Sequence, residues 1–130
     1  MPSFTRRQAL MSGGAFTLGT LVLASDASAH HGWSWAEGEQ VEMTGTVRNV
    51  YIGQPHPTLQ VEMPDGMWTV ELGNPSQTSR AGFSAESAKV GDQITALGNR
   101  SRDANEKRLK AVRVSVNGRT YDIYPERIRT

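Results

Sequence analysis

The chain contains no cysteine among its 130 residues. Disulfide bonds, thiol nucleophiles and thiolate metal ligands are therefore excluded, although an exported compartment would permit disulfides. No apolar run approaches the ~20 residues that a membrane-spanning helix needs. A phosphate-cradling glycine loop and the Gly-x-Ser-x-Gly nucleophile motif are also absent from the sequence. These absences leave histidine as the main candidate for site chemistry.

The first 29 residues match the three-part pattern of an export signal. Arg6 and Arg7 precede a mildly apolar stretch at residues 15–24, and residues 27–29, Ala-Ser-Ala, supply the small side chains that signal peptidase requires. The paired arginines resemble those of the twin-arginine signal, whose translocase carries folded proteins. We therefore expect residues 1–29 to be removed on export, which gives a periplasmic or secreted protein with no stable membrane span. An uncleaved N-terminal anchor is the alternative.

Cleavage at this position would change the charge balance. The whole chain has 14 basic and 13 acidic residues, and Arg6, Arg7 and Asp26 lie in the expected signal. The mature part is therefore formally neutral. Nucleic-acid binding depends on clustered Lys and Arg side chains that neutralise phosphates, so we expect no nucleic-acid partner. A periplasmic protein partner stays open.

Residues 30–40 show no clear period, and they predict an N-terminal arm ahead of a single domain, residues 41–130. In this domain apolar and polar side chains alternate, which is typical of strands with one buried face. Gly45, inside the first alternating stretch, suggests a bulge or a sharp bend. The alternating stretches are residues 41–52, 59–63, 68–72, 93–98, 109–116 and 120–124.

The connections carry signals of their own. Two prolines interrupt residues 53–57, which we expect to form a loop. Residues 64–66, Pro-Asp-Gly, and 117–118, Asn-Gly, predict tight hairpin turns. Asn74 suits the N-cap of a short helical segment within residues 75–88. This order predicts a mainly β fold, a small five- to six-stranded OB-like barrel with one short helix between strands three and four.

The three histidines of the chain are His30, His31 and His56. After cleavage His30 has a free α-amine, whose pKa of about 8 lets a metal ion displace its proton. The amine and Nδ1 of His30 can chelate a metal, and His56 can supply an opposing imidazole. His31 is an alternative or additional ligand. Planar nitrogen donors suit copper; a solvated N-terminus and a turn-capping His56 are the plainer alternative.

Five short motifs are visible along the chain: Ala-His-His at 29–31, Thr-Gly-Thr-Val at 44–47, Pro-His at 55–56, Trp-x-Val-Glu at 68–71 and Lys-Val-Gly-Asp-x-Ile at 89–94. Together these motifs resemble those of a family of small exported bacterial proteins of unknown function. The resemblance implies an OB-like β-barrel in which His30, His31 and His56 recur together, with an Ala-His-His mature start and a Pro-His loop. Here Gln54 replaces the Asn that usually precedes Pro-His.

We expect from these observations a periplasmic metal-binding protein that uses His30, His31 and His56 for copper in storage, delivery or sensing. The alternative is a metal-free binding module for a protein, glycan or small ligand, in which Trp33, Trp35 and Trp68 floor a groove. A mono-copper redox enzyme is a third class. Nothing beyond the candidate ligands points to a substrate, so we do not expect an enzyme.

Overall fold

A computed structural model describes residues 32–129 of the chain. Two units are distinguished: one ends at Ser34 and is described only as a turn at residues 32–34, and the other begins at Trp35. The second unit is mainly β. Its elements are β1 (Ala36–Tyr51), β2 (Thr58–Met63), β3 (Gly66–Glu71), α1 (Pro75–Arg80), β4 (Gln93–Ser101), β5 (Arg108–Val116), β6 (Arg119–Asp122) and a 3₁₀ helix (Pro125–Arg127).

The six strands form one sheet in the order β3-β2-β1-β4-β5-β6. Neighbouring strands are antiparallel, and an additional parallel pairing joins β3 to β5. This pairing closes β1, β2, β3, β5 and β4 into a ring, the order expected of an OB-type arrangement. The predicted fold class is therefore confirmed: a mainly β unit with one short α-helix between the third and fourth strands.

The first strand bends because it belongs to both sides of the ring. Its first part pairs with β4 and its last part with β2, and Thr46 pairs with both. At Gly45 a Cβ atom would collide with the carbonyl oxygen of Glu62 on β2. Glycine thus permits a backbone approach that no other residue allows. The pairing of β1 with β2 is irregular between Val47 and Asn49. The irregularity thus lies close to Gly45, from which it was predicted.

A few strands and the helix begin or end at residues other than those predicted from the sequence. The first strand begins at Ala36 and not at Val41, because Ala36 and Gln40 already pair with β4 across a register irregularity. The helix stops at Arg80 because Gly82 turns the chain with a positive φ of 89°. Asn74 caps it as predicted, since its Oδ1 accepts a hydrogen bond from the Gln77 amide at 2.8 Å.

Buried apolar side chains form the core, and the last described residues are hydrogen-bonded to β1. Gln40 of β1 donates from Nε2 to the Arg127 carbonyl and accepts at Oε1 from the Arg129 amide. These bonds hold the last described residues against the first strand. The largest fully buried apolar side chains are Phe83, Leu59, Leu72, Ile94, Leu109, Ile123, Val47, Val61, Val70, Val112 and Val114.

Candidate functional site

The predicted ligand His56 lies in the loop between β1 and β2, and its side chain is half-buried. His30 and His31 lie outside the described residues, so the grouping of the three histidines stays a prediction. Within residues 32–129, no group of three or more His, Asp or Glu side chains is arranged to hold a metal ion. Of the predicted ligands, the structure therefore describes the surroundings of His56.

The loop that carries His56 is anchored at its N-terminal side by the last residue of β1. The Tyr51 ring lies against Gly53, where an added Cβ would come within 2.6 Å of the tyrosine oxygen. The Tyr51 hydroxyl donates a hydrogen bond to the Gln54 carbonyl. The Gln54–Pro55 peptide bond that follows is cis. A side chain from the strand thus fixes the backbone two residues before His56.

The C-terminal side of the loop is anchored by the residue that follows β3. Pro57 is buried, and its carbonyl accepts a hydrogen bond of 2.9 Å from the Leu72 amide. The carbonyl of the same Leu72 accepts a hydrogen bond of 3.1 Å from Nζ of Lys110. The position of Pro57 therefore depends on Leu72, and Leu72 is held in turn by a charged side chain of β5.

Lys110 belongs to a buried ionic cluster that we define as Glu71, Arg108 and Lys110. Lys110 is only 1% exposed and Glu71 only 6%. Lys110 Nζ lies 2.8 Å from Glu71 Oε1, and an Arg108 guanidinium nitrogen lies 2.7 Å from Glu71 Oε2. The parallel pairing of β3 with β5 sets Glu71 opposite Lys110. Buried charges persist in proteins when they are paired in this way.

Burial and charge shift the pKa values of this cluster in defined directions. Burial alone would raise the pKa of Glu71, but hydrogen bonds and charges from Arg108 and Lys110 outweigh it and lower that pKa. Burial lowers the pKa of Lys110 in spite of its bond to Glu71. Tyr124 lies beside the cluster, with its ring centroid 5.5 Å from Lys110 Nζ. Burial, together with the Glu71 charge, raises the pKa of Tyr124 to about 12.

Sequence reasoning missed the ionic cluster. The alternation places Glu71 on the outward face of its strand, where charged residues are ordinarily solvated. In the same alternation Lys110 falls on the face of Val112 and Val114. One signal was present: each of the two stands between buried apolar residues. Glu71 lies between Val70 and Leu72, and Lys110 lies between Leu109 and Ala111. A charged residue in an otherwise buried run indicates a charged partner on another strand.

Trp68 and Trp35 contact other side chains of the β unit. Trp68 is buried, and its Nε1 donates to Asp65 Oδ1 at 2.8 Å. The Arg108 guanidinium carbon lies 3.7 Å from the centroid of the Trp35 ring, within the range of a cation–π contact. These contacts occupy the polar edge of one indole and one face of the other. The ligand groove floored by tryptophans stays a prediction.

Comparisons with known proteins agree with the fold. The sequence profile of a family described as "Family of unknown function (DUF6152)" matches residues 19–110. No curated protein matches the chain. A solved structure, described as the ZRD-deleted mutant of TiaS in complex with agmatine, aligns with a TM-score of 0.52 at 13% identity. The alignment covers 70% of this chain but only 28% of that one, so the likeness concerns the fold alone.

No helix among residues 32–129 is long and apolar enough to cross a membrane.

Proposed function

The chain belongs to the family of unknown function DUF6152, and from that premise we propose that it is an exported, periplasmic metal-binding protein whose metal is copper. His30 would bind through its α-amine and Nδ1, and His56 through its imidazole. His31 is the alternative or additional ligand. One observation carries the proposal: all the histidines of the chain fall either at the expected mature N-terminus or on the loop that is anchored at both sides.

The donor set fits copper for chemical reasons. An amine and imidazoles are borderline nitrogen ligands, and Cu(II) stands at the top of the divalent affinity order and accepts planar nitrogen geometry. The chain has no thiolate that would favour zinc or Cu(I). His56 is half-buried between two prolines, whose restricted backbone reduces the conformational entropy lost when the imidazole binds.

The proposal makes export a condition for metal binding. The α-amine of His30 exists only after residues 1–29 have been removed; before cleavage the same nitrogen is part of a peptide bond. Copper held through this amine must therefore bind outside the cytoplasm. Mass spectrometry of the protein purified from the periplasm tests this point, because it reports both the N-terminal residue and any bound metal.

The decisive experiment titrates the mature chain, beginning at His30, with Cu(II) and records its electron spin resonance spectrum. We expect tight binding with nitrogen hyperfine structure, which weakens in His30→Ala and in His56→Ala. A matched control carries an acetyl group on the α-amine of His30. It keeps all three imidazoles and removes the basic amine, so it should also weaken binding. Copper binding that is absent in the wild type, or unchanged in both histidine variants, contradicts the proposal.

A further inference from the structure

Tyr51 occupies a place that core packing does not explain. Its side chain is 46% exposed, and an aromatic side chain with so much surface in water has no requirement to adopt one position. Yet its ring lies against Gly53 and its hydroxyl is bonded to the Gln54 carbonyl. The ring and the hydroxyl of Tyr51 thus both contact the loop that follows it.

The loop positions His56 between two fixed carbonyl groups. The Gln54 carbonyl is held by Tyr51, and the Pro57 carbonyl is held by the Leu72 amide at 2.9 Å. Pro55 and His56 are the residues that lie between these two points. Since Pro55 has a fixed φ, little backbone freedom is left to His56. The Pro57 end is bonded to the backbone amide that follows β3, whereas the Gln54 end is bonded to a side-chain hydroxyl at the surface.

We propose that Tyr51 is a positioning residue for His56: its hydroxyl, packed over Gly53, fixes the loop so that the imidazole is presented to the metal in one place. This inference rests on the proposed function of His56 as a metal ligand. It assigns Tyr51 no direct contact with the metal. A ligand that is already in place loses less entropy on binding, so the hydroxyl contributes to affinity without touching the ion.

Two substitutions break the same anchor in different ways. Tyr51→Phe removes the hydroxyl and keeps the ring. Gly53→Ala keeps the hydroxyl, but its Cβ would lie 2.6 Å from the tyrosine oxygen and 2.7 Å from Cζ, so the ring must move away. The backbone of Gly53 does not have the positive φ that would make alanine strained. The two variants should therefore have the same effect for the same reason.

Matched controls exist elsewhere in the β unit. Tyr121→Phe removes a tyrosine hydroxyl on β6, where the ring of Tyr121 packs edge-on against Phe83. Gly38→Ala adds a Cβ on β1 where no atom lies within 4 Å. Neither position is part of the His56 loop. These controls separate the loss of the anchor from the general effect of removing a hydroxyl or adding a methyl group.

The test compares all four variants with the wild type in two measurements. With Cu(II), we expect Tyr51→Phe and Gly53→Ala to bind about fivefold more weakly, the effect of losing one hydrogen bond of ordinary strength, and to show altered nitrogen hyperfine structure. Without metal, the NMR order parameter of the His56 amide should fall from the ~0.85 typical of rigid backbone towards ~0.6. The controls should match the wild type in both measurements.

The outcomes separate this inference from the proposed function. If Tyr51→Phe and Gly53→Ala leave both the His56 order parameter and the copper spectrum at wild-type values, Tyr51 does not position His56. If the wild type itself binds no copper through His56, the proposed function is wrong, and the metal-free relaxation measurement still decides whether Tyr51 orders the loop. A fall in the order parameter in both variants, with unchanged controls, supports the inference.

Discussion

Replacing Lys110 by methionine should destabilise the fold more than any exposed charge substitution. The change removes the hydrogen bonds that Nζ donates to Glu71 at 2.8 Å and to the Leu72 carbonyl at 3.1 Å. Methionine keeps most of the volume, so packing changes little. Glu71 then stays buried with Arg108 as its remaining partner, and Arg108 is partly exposed. Breaking a buried pair typically costs about 3–5 kcal/mol, and the surviving bond to Arg108 places the expected loss near 3 kcal/mol.

An exposed ion pair in the same sheet provides the matched control. Arg113 and Asp122 are 2.6 Å apart at their closest atoms, but their side chains are 35% and 38% exposed. Arg113→Met should therefore cost only about 0–1 kcal/mol. Both pairs join β5 to a neighbouring strand, so the comparison isolates burial. Replacing Glu71 and Lys110 together by methionine should give a protein more stable than Lys110→Met alone, since the carboxylate that has lost its buried partner Lys110 is then absent as well.

Urea unfolding followed by the fluorescence of the buried Trp68 measures these differences. A loss of 3 kcal/mol lowers the midpoint by about 2 M if the urea dependence is near 1.5 kcal/mol per molar. A free energy of unfolding within 1 kcal/mol of the wild type for Lys110→Met, equal to that of Arg113→Met, would refute the reasoning. The buried cluster would then contribute no more than a surface pair.

Two further predictions follow from the same strands. Arg108 and Lys110 hold the pKa of Glu71 below its usual 4.5. The stability that the Glu71 carboxylate contributes is therefore complete above pH 4.5 and is lost as the pH falls through the depressed pKa. In Glu71→Gln the free energy of unfolding should vary less between pH 5 and 2, and an identical slope in both proteins would contradict this. Gly98→Ala should lower the free energy of unfolding by about 2–3 kcal/mol, because its Cβ would collide with the Lys110 backbone carbonyl and force β4 and β5 apart. Thermal unfolding of this variant beside the Gly38→Ala control measures the loss, and equal melting temperatures would contradict the prediction.

Local signals in the sequence predicted most of the fold. Alternation of apolar residues predicted the strands, because burial on one face requires it. Asn117 and Gly118 predicted the last hairpin, and both have positive φ, at 54° and 75°, as a two-residue turn of this type requires. Asn74 predicted the helix start, since capping needs only the residue and the amides that follow it. Each of these features depends on residues a few positions apart.

One part of the candidate site was predicted from local sequence and another part was not. The sequence predicted His56 and the loop that carries it, because the prolines on both sides of this histidine interrupt a strand whatever its partner. It did not predict the anchors. Tyr51 looks like one more apolar residue at the end of a strand, and its bond to Gln54 depends on how the chain turns at Gly53.

By itself, the sequence determined the strand pattern, the turn chemistry and the absence of thiol chemistry. Only the tertiary structure decided that Glu71 and Lys110 are buried together, because these residues are 39 positions apart and meet through the parallel pairing that closes the ring. The start of β1 at Ala36 also depends on residues distant in the sequence, since Ala36 pairs with Ser101 of β4. Long-range pairing determines which polar groups lose water, and no local period encodes it.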